Sequence, residues 1–323
     1  MITRTLLHPS DSDGCGYYRI VQPGTALANH TNQHFIISHT YYMINHIKDK
    51  CIDRVICQRH TEEHMVANLK FYKDLNLKIV HDLDDLLWQV PPSNNYHKYF
   101  KGTNKKCLRE ALSIADKLVV STEPLAQEVK KFTKRESTVL PNMILSKHYQ
   151  LPKSRTKQKL RVGWAGSNTH AGDLRIISPV IQNTLDKYEW VFMGYAEPQW
   201  KEKVEFHQFV PVSEYTDKLK SLNLDVMLIP LEENAFNNSK SHIKLLEAAS
   251  IGVPATTTDI DPYKENPNPK IPTSNKSWKK FVDVLAAYED ETVRLEAAHK
   301  AFDWAKKYCV ELNIPKIDQA WSV

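Results

Sequence analysis

Residues 225–254 read DVMLIPLEENAFNNSKSHIKLLEAASIGVP, a strand-like apolar run followed by a polar stretch and a helical pattern. On one helix, Lys240, Lys244 and Glu247 share a face, because they are spaced i, i+4 and i+7. Two ammonium groups and a carboxylate on one face can hold the diphosphate and the ribose hydroxyls of a nucleotide. Gly252 predicts the end of that helix. An ion-paired surface helix is the alternative, but it does not explain the preceding run of asparagine and serine.

Similar apolar, β-branched segments alternate with helical stretches on both sides of this segment. This alternation is typical of α/β proteins with parallel sheets. The predicted strands are Thr3–His8, Arg54–Gln58, Lys78–His81, Lys117–Ser121 and Ser137–Leu140 in the first part, and Leu160–Trp164, Trp190–Gly194, Val204–His207, Asp225–Pro230 and Val253–Thr257 in the second.

The sequence divides into two α/β units joined by a linker. Residues 151–159, LPKSRTKQK, are polar, basic and without a periodic pattern. We expect domains over 1–150 and 160–302, with 151–159 between them. From Ser277 onward the chain is mostly helical in pattern.

Length and composition restrict the class of protein. The chain has 323 residues, of which 41% are hydrophobic and 25% charged, so a folded protein of two domains is expected. No apolar run approaches the roughly 20 residues that span a bilayer, and the N-terminus lacks the apolar core of a secretion signal. A cytoplasmic location without stable membrane insertion is expected. Five cysteines without CxxC spacing predict free thiols.

The positive charge is concentrated in the first unit. Residues 1–150 contain 20 Lys and Arg against 15 Asp and Glu, whereas residues 151–323 contain 23 of each. Clustered cations can attract an anionic polymer, although solvated helix faces give the same pattern. The first cluster is Lys98, Lys101, Lys105, Lys106 and Arg109, and the second is Lys130, Lys131, Lys134 and Arg135.

Two loops of the first unit follow predicted strands, where parallel sheets bind their ligands. In DSDGCGYYR (11–19), Gly16 permits close backbone approach and Arg19 lies near a predicted helix start, although a simple tight turn is also possible. In HDLDD (81–85), three carboxylates lie within four positions and indicate a hydroxyl, cation or proton-transfer role. A metal site of the DxD type and helix N-capping are the alternatives to such a role for Asp82, Asp84 and Asp85.

In the second unit, GWAGSNTH (163–170) connects a strand to a helix expected from about Ala171. Gly166 permits close approach, and Ser167 lies where a helix N-terminus would face a phosphate. The loop is not a P-loop, because no GK[ST] follows. The stretch HTEEH (60–64) lacks a glutamate directly after the first histidine, which argues against a zinc peptidase.

These segments together resemble retaining GT-B glycosyltransferases close to glycosyltransferase family four. Residues 225–254 resemble the donor-binding segment, VGWAGSNTH the first strand and phosphate loop of the C-terminal domain, and LVVSTEPLAQEV with VLPNMI the end of the N-terminal domain. HDLDDLLW and DGCGYYRIVQP are similar to a subgroup common in phages and bacteria. The resemblance implies two Rossmann-like domains that face each other across a cleft, with a separate C-terminal crossover helix over 303–323.

The resemblance also implies roles for individual residues. Glu247 would bind the ribose of a nucleotide sugar, for which UDP-sugar is favoured, and Lys244 with Lys240 the diphosphate. Gly166 and Ser167 would contact the phosphates, and Gly16 would approach the donor. Catalysis, with retention and without a required metal or other cofactor, is expected to involve Asp82, Asp84, Asp85 and Lys244.

One departure from the family concerns Ser239, which occupies the position of the first of two glutamates eight residues apart. The function of that glutamate toward the sugar is therefore not assigned, and neither is a catalytic base. A lysine-rich form of the motif also occurs in the subgroup.

The acceptor predicted by the charge distribution is double-stranded DNA. The first unit, which would bind the acceptor, carries the positive charge, and phages of the T-even type glycosylate 5-hydroxymethylcytosine with GT-B enzymes. The residues expected to contact it are Arg19, Lys98, Lys101, Lys105 and Lys106, in a phage enzyme acting in the host cytoplasm. A surface polysaccharide, lipid carrier or protein is the alternative acceptor. A nucleotide-sugar epimerase and a non-catalytic binding module are alternatives of another class.

Overall fold

The structure is a computed structural model that describes residues 4–154, 159–273 and 277–323. It contains two six-stranded sheets in which every pair of neighbouring strands is parallel. Within the described ranges, no helix combines the length and the apolar character that crossing a bilayer requires. The predicted α/β class with two units is thus what the chain forms.

The first sheet has the strand order β2-β1-β3-β4-β5-β6. Its central strands are nearly continuous apolar runs, as expected for parallel strands covered by helices on both faces. The strands are β1 (Arg4–His8), β2 (His34–Ile37), β3 (Arg54–Gln58), β4 (Lys78–Leu83), β5 (Lys117–Val120) and β6 (Thr138–Val139).

The second sheet has the order β12-β11-β10-β7-β8-β9. Its first strand in the chain, β7, lies inside the sheet, so the strands wind outward in both directions from it. The strands are β7 (Arg161–Gly166), β8 (Glu189–Gly194), β9 (Glu205–His207), β10 (Val226–Ile229), β11 (Ala255–Thr258) and β12 (Lys270–Ile271).

Helices connect these strands and cover both sheets. The stretch from Gly14 to His30 is continuously helical, with a π-helical middle over Tyr17–Val21. The α-helices are α1 (Gly14–Gly16), α2 (Gln22–His30), α3 (Ile44–Asp49), α4 (Glu63–Asp74), α5 (Thr103–Ile114), α6 (Glu123–Thr133), α7 (Ala171–Thr184), α8 (Pro198–Lys201), α9 (Val212–Ser221), α10 (Ala235–Asn238), α11 (Ile243–Ser250), α12 (Trp278–Ala287), α13 (Glu291–Ala305) and α14 (Ile314–Trp321).

Each predicted strand is present, with ends that differ by at most two residues. The sequence prediction missed β2 and β12. β2 is only partly buried and β12 has two residues, so neither produces a strong apolar run. β4 continues two residues beyond the predicted end, which places Asp82 inside the strand. The predicted linker lies partly outside the described residues, because 155–158 are not described.

Alternating residues of the first sheet supply two separate hydrophobic layers. Leu6, Val55 and Ile79 pack beneath α4 and α5, whereas their neighbours on the opposite face pack with α2 and the C-terminal helix. Fully buried side chains on both faces explain why these strands lack polar alternation.

The C-terminal helix α14 packs on the first sheet, although α13 before it packs on α11 of the second half. Trp321 is completely buried, with its ring centroid 6.3 Å from that of Phe35. The Arg54 guanidinium donates a hydrogen bond of 2.8 Å to the carbonyl of Trp321. Helix α14 therefore belongs to the hydrophobic core of the first half, together with residues of β1 and α2.

Replacing Trp321 tests this packing. We expect Trp321→Ala to lower the free energy of unfolding by about 3–5 kcal/mol, because it removes a large buried side chain and leaves a cavity. Urea denaturation followed by circular dichroism measures the change. Val323→Ala, at an exposed position two residues later, is the control and should change stability by less than about 0.5 kcal/mol. Equal effects of the two substitutions would contradict the packing described.

Candidate functional site

The two halves of the molecule meet at loops that follow their strands. Three hydrogen bonds of 2.8 Å cross between them: Ser93 Oγ donates to Glu232 Oε2, Thr122 Oγ1 to the Ser239 carbonyl, and Asn142 Nδ2 to Ser241 Oγ. A small, partly open cavity lies at this junction. Residues of both halves line it, among them Ser93 and Asn94 of the first and Asp173, Glu232, Asn237 and Lys240 of the second.

Lys244 lies on α11 and reaches the end of β7. Its Nζ donates a hydrogen bond of 3.0 Å to the Ala165 carbonyl and lies 4.9 Å from the centre of the Trp164 ring. A Cβ on Gly166 would come within 2.4 Å of the ammonium nitrogen. Gly166 is therefore needed so that the cation can occupy the end of the strand.

Burial gives Lys244 an unusual proton affinity. Loss of hydration, reinforced by the positive charge of Lys240, lowers the pKa of Lys244 to about 8. A buried ammonium group without a full counter-charge is stabilised by the approach of an anion. The end of β7 is therefore suited to bind a phosphate.

Glu247 lies one turn further along α11 and is held by two tyrosines. Tyr18, from the first half, donates to Glu247 Oε1 at 2.9 Å, and Tyr215 donates to Oε2 at 3.2 Å. Burial raises the pKa of Glu247 to about 7, in spite of these hydrogen bonds and of Lys244 nearby. The carboxyl group offers acceptors suited to a pair of hydroxyls, and the hydroxyls of Tyr18 and Tyr215 each bind one of its oxygens in this structure.

Lys240 is not on the helix, contrary to the sequence prediction. α11 begins at Ile243, and Lys240 follows the short helix α10. Asn and Ser side chains bind the backbone here: Asn234 caps α10, and Ser239 Oγ donates to the Ala235 carbonyl at 2.9 Å. Such local bonds interrupt a helix. Lys240 instead lines the cavity, with its Nζ 4.9 Å from the centre of the Phe236 ring.

The loop after β7 carries two hydroxyl groups close in sequence to Ala165, the residue that Lys244 contacts. Ser167 Oγ and Thr169 Oγ1 lie 2.6 Å apart. His170 Nδ1 lies 2.7 Å from Asp173 Oδ2, and burial together with Lys244 and Lys240 lowers the pKa of His170 to about 3. The imidazole is consequently neutral, and its Nδ1–H donates a hydrogen bond to the carboxylate of Asp173. This pair fixes the start of α7, whose N-terminal amides follow the loop.

Arg19 and Asp82 form a buried ion pair. Arg19 Nε donates to Oδ1 at 2.9 Å and Nη2 to Oδ2 at 2.7 Å, and the side chains are 1% and 0% exposed. Arg19 Nη1 also donates to the side-chain oxygen of Asn142 at 3.0 Å. This burial leaves neither side chain accessible to a substrate. The roles expected for Arg19 in acceptor binding and for Asp82 in catalysis are therefore corrected to a structural one.

Asp84 and Asp85 lie past the end of β4 and share Arg59. Arg59 donates to both oxygens of Asp84 and, at 2.7 Å, to Asp85 Oδ2. Burial opposes ionisation of Asp84, but the bidentate contact outweighs it and lowers the pKa of that carboxyl. Burial, joined by the charge of Asp84, raises the pKa of Asp85. Two neighbouring carboxyls with opposite shifts are an arrangement suited to proton transfer.

Gly16 allows two parts of its own loop to pack closely together. A Cβ there would lie 2.1 Å from the Asp11 carbonyl oxygen, and the Gly16 amide donates to Asp11 Oδ1 at 2.9 Å. The expected close approach is thus between two parts of the same loop, and it positions Tyr18 for its contact with Glu247.

The basic residues expected to contact the acceptor are at the surface of the first half. Lys98, Lys101, Lys105 and Lys106 are exposed, and none of them is in an ion pair with another described residue. Arg109 lies 4.4 Å from the centre of the Phe132 ring, which stacks on Trp88 at 4.1 Å. An accessible cationic and aromatic surface results.

Sequence reasoning missed Tyr18, Tyr215 and Arg59. The two tyrosines lie far from Glu247 in sequence, so no spacing rule could connect them. Arg59 has a left-handed backbone, with φ of 53°, which is rare for a residue with a side chain. A strained conformation beside a cleft is a structural signal of function that no sequence pattern carries.

Comparisons with known proteins agree with this architecture. No protein-family model and no curated sequence matches the chain. Among solved structures, sucrose-phosphate synthase from Thermosynechococcus elongatus matches with a TM-score of 0.72 at 11% identity, over 99% of this chain and 98% of that one. HepE from Anabaena in complex with UDP-glucose gives 0.68 at 11% identity over 98% of each, and WaaG, a glycosyltransferase involved in lipopolysaccharide biosynthesis, 0.58 at 17% identity over 100% of each.

These likenesses define the class of fold. The chain has the GT-B architecture of glycosyltransferases, an α/β fold of two Rossmann-like halves that face each other across a cleft. The fold predicted from the sequence is therefore confirmed.

The buried ion pair makes a testable statement about stability. We expect Asp82→Asn to lower the free energy of unfolding by about 3–5 kcal/mol, because the Arg19 guanidinium stays buried without a counter-charge. The double variant Arg19→Met with Asp82→Leu should lose less, since no charge remains. Urea denaturation measures both. Asp74→Asn, on the exposed surface of α4, is the control, and an Asp82→Asn protein as stable as this control would contradict the structural role.

Proposed function

We propose that this protein is a glycosyltransferase that moves a sugar from a nucleotide diphosphate sugar, a UDP-sugar in our preferred assignment, to an acceptor hydroxyl. One observation carries the proposal: the Lys244 ammonium, half-buried at the end of β7 behind Gly166, with Glu247 one turn away. The spacing of the two suits a diphosphate and its ribose. Among the matched structures, HepE was solved with UDP-glucose.

In this proposal each part of the donor has a place. The diphosphate lies between Lys244, the hydroxyl of Ser167 and the N-terminus of α7. The ribose displaces Tyr18 from Glu247. The sugar enters the cavity lined by Asp173, Glu232 and Lys240, whose charged groups can bind hydroxyls and stand in for the absent glutamate at Ser239.

The reaction then needs charge stabilisation more than a strong base. The acceptor oxygen attacks the anomeric carbon while the bond to the diphosphate breaks, and the cations stabilise the departing negative charge. Attack on the face that the leaving group vacates gives retention, and the acceptor proton passes to the leaving phosphate. Asp84 holds Arg59, and Asp85, whose pKa is raised by burial, can orient the acceptor hydroxyl through a hydrogen bond while the proton leaves with the phosphate. No step in this scheme requires a metal ion.

The two pKa values predict the pH dependence of UDP binding. Affinity should be greatest between about pH 7 and 8. Below that range Glu247, with a pKa of about 7, takes up a proton and becomes a poorer acceptor, and above it Lys244, with a pKa of about 8, loses its charge. Above pH 8 affinity should fall by about tenfold per pH unit. Isothermal titration calorimetry from pH 6 to 10 measures the profile.

Two variants separate the charge of Lys244 from its other contacts. Lys244→Met should weaken UDP binding at pH 7.5 by about 10- to 100-fold, the range expected for one charged hydrogen-bonding group. Lys244→Arg should retain measurable binding and lose the decline above pH 8, because a guanidinium stays protonated. Lys300→Met, at an exposed position of α13, is the matched control. A wild-type affinity that is constant up to pH 10 would contradict the site.

For the acceptor, we propose 5-hydroxymethylcytosine in double-stranded DNA. The exposed lysines of the first half support this choice, because phosphates attract clustered cations. A pyranose acceptor in a polysaccharide or lipid carrier is the second candidate, and the likeness to WaaG favours it. Nucleoside mass spectrometry after incubation with modified and unmodified DNA and several nucleotide sugars distinguishes them. A sugar mass added only to the hydroxymethylated nucleoside supports DNA, whereas donor turnover without such a product favours a carbohydrate.

The cationic surface gives a separate prediction about DNA affinity. Replacing Lys98, Lys101, Lys105 and Lys106 by Gln should weaken DNA binding and reduce its salt dependence, because fewer counterions are released. Fluorescence anisotropy with labelled DNA at several salt concentrations measures both. Replacing Lys130 and Lys131, which pair with Glu136 and Glu128, is the control. Equal effects of the two sets would contradict a specific DNA surface.

A further inference from the structure

One thiol and three imidazoles, which are side chains of the types that bind metals, meet at the carboxyl ends of three neighbouring strands of the first sheet. His8 of β1, Cys57 of β3 and His81 of β4 are in register with one another, so their side chains leave the same face of the sheet. His60 follows β3, where the left-handed Arg59 turns the chain. Its ring centroid lies 5.6 Å from that of His81 and 6.2 Å from that of His8.

The cluster is compact and almost completely buried. One ligand atom each of Cys57, His60 and His81 lies within 4.8 Å of the other two. These three side chains are at most 3% exposed and His8 is 4% exposed. Tetrahedral zinc, with bonds of about 2.0–2.3 Å, holds its ligand atoms roughly 3.5 Å apart, so the ligand atoms of Cys57, His60 and His81 need to approach one another by about 1 Å. His8 lies outside this group of three and has to approach further to join it.

Two polar atoms of the cluster lack a partner. Neither His8 Nε2 nor His81 Nδ1 has a hydrogen-bond partner among the described residues. Leaving a buried polar atom unpaired is unfavourable, and natural cores generally avoid it. The other contacts of these side chains are long: the His60 amide approaches His81 Nε2 at 3.3 Å, the Tyr41 hydroxyl approaches His60 Nε2 at 3.3 Å, and Cys57 Sγ reaches the Val80 carbonyl at 3.6 Å. The cluster therefore offers metal-binding atoms whose present hydrogen bonds are long or missing.

The hydrogen bonds of His60 support the same interpretation. Its Nδ1 lies 3.2 Å from the Gln58 carbonyl, which places the proton on Nδ1, and its Nε2 accepts a long hydrogen bond of 3.3 Å from the Tyr41 hydroxyl, which a metal ion would replace. Metal-bound histidines usually donate their second ring nitrogen to such an oxygen.

We propose that Cys57, His60 and His81 are ligands of one Zn²⁺ ion. His8 completes a four-coordinate shell, and the ion holds the turn that carries Arg59. Nitrogen and sulfur donors in a closed shell favour zinc over magnesium or calcium, which prefer oxygen. On binding, the Cys57 thiol releases its proton to the buffer and the thiolate bonds to zinc. The role is structural, and Arg59 is thereby positioned against Asp84 and Asp85.

The metal content of the untagged protein is the first test. Inductively coupled plasma mass spectrometry of the protein as purified should find about one zinc per chain, as a closed four-ligand site retains its metal. After removal by a chelator, titration with Co²⁺ should give a thiolate-to-cobalt charge-transfer band. A protein that holds neither metal at stoichiometric levels overturns the proposal.

Variants locate the ion. Cys57→Ala should abolish the charge-transfer band and weaken Co²⁺ binding at least 100-fold, whereas Cys107→Ala, at another buried thiol of the same hydrophobic core, should change neither. A band that persists in Cys57→Ala overturns the assignment. If Cys57→Ala does not fold, X-ray absorption spectroscopy of the zinc-loaded wild type decides: one sulfur with three nitrogens supports the site, and a shell without sulfur contradicts it. None of these measurements depends on sugar transfer.

Discussion

The buried contact between Arg19 and Asp82 connects most of the features described above. It joins the long N-terminal helix to β4, and the same guanidinium bonds to Asn142, which in turn reaches Ser241 of the second half. Tyr18, the residue before Arg19, contacts Glu247. One desolvated ion pair is therefore connected to two of the hydrogen bonds, Asn142 to Ser241 and Tyr18 to Glu247, that join the first half to the segment carrying the donor-site residues. Its cost in desolvation is offset by bidentate geometry and by further hydrogen bonds.

The donor site depends on a second constraint, which is the absence of a side chain at Gly166. The ammonium of Lys244 occupies the space that a Cβ would fill, against the Trp164 ring. The positive charge of Lys244 is therefore only partly balanced by neighbouring groups. It lies at the carboxyl end of β7, close to the starts of α7 and α11. The fold places the binding groups here, because the loops that follow parallel strands carry their polar groups toward the facing half.

Sequence patterns predicted the strands well because buried parallel strands are apolar runs, and they also identified the segments that line the cleft. They did not predict that Lys240 leaves the helix, since the hydrogen bonds of Asn234 and Ser239 outweigh helical periodicity. Arg19 was expected near a helix start and in contact with the acceptor, and only the fold brings Asp82 to it. The alignment of His8, Cys57 and His81 likewise becomes visible only with the strand register.

The central claim is that α11 and the end of β7 bind a nucleotide diphosphate. A crystal structure of the protein with UDP tests it most directly. We predict phosphate oxygens within hydrogen-bonding distance of Lys244 and Ser167, and ribose hydroxyls on Glu247 with Tyr18 displaced. UDP bound elsewhere on the molecule, or a crystal grown in saturating UDP with Tyr18 still on Glu247 and no nucleotide at β7, would contradict the account.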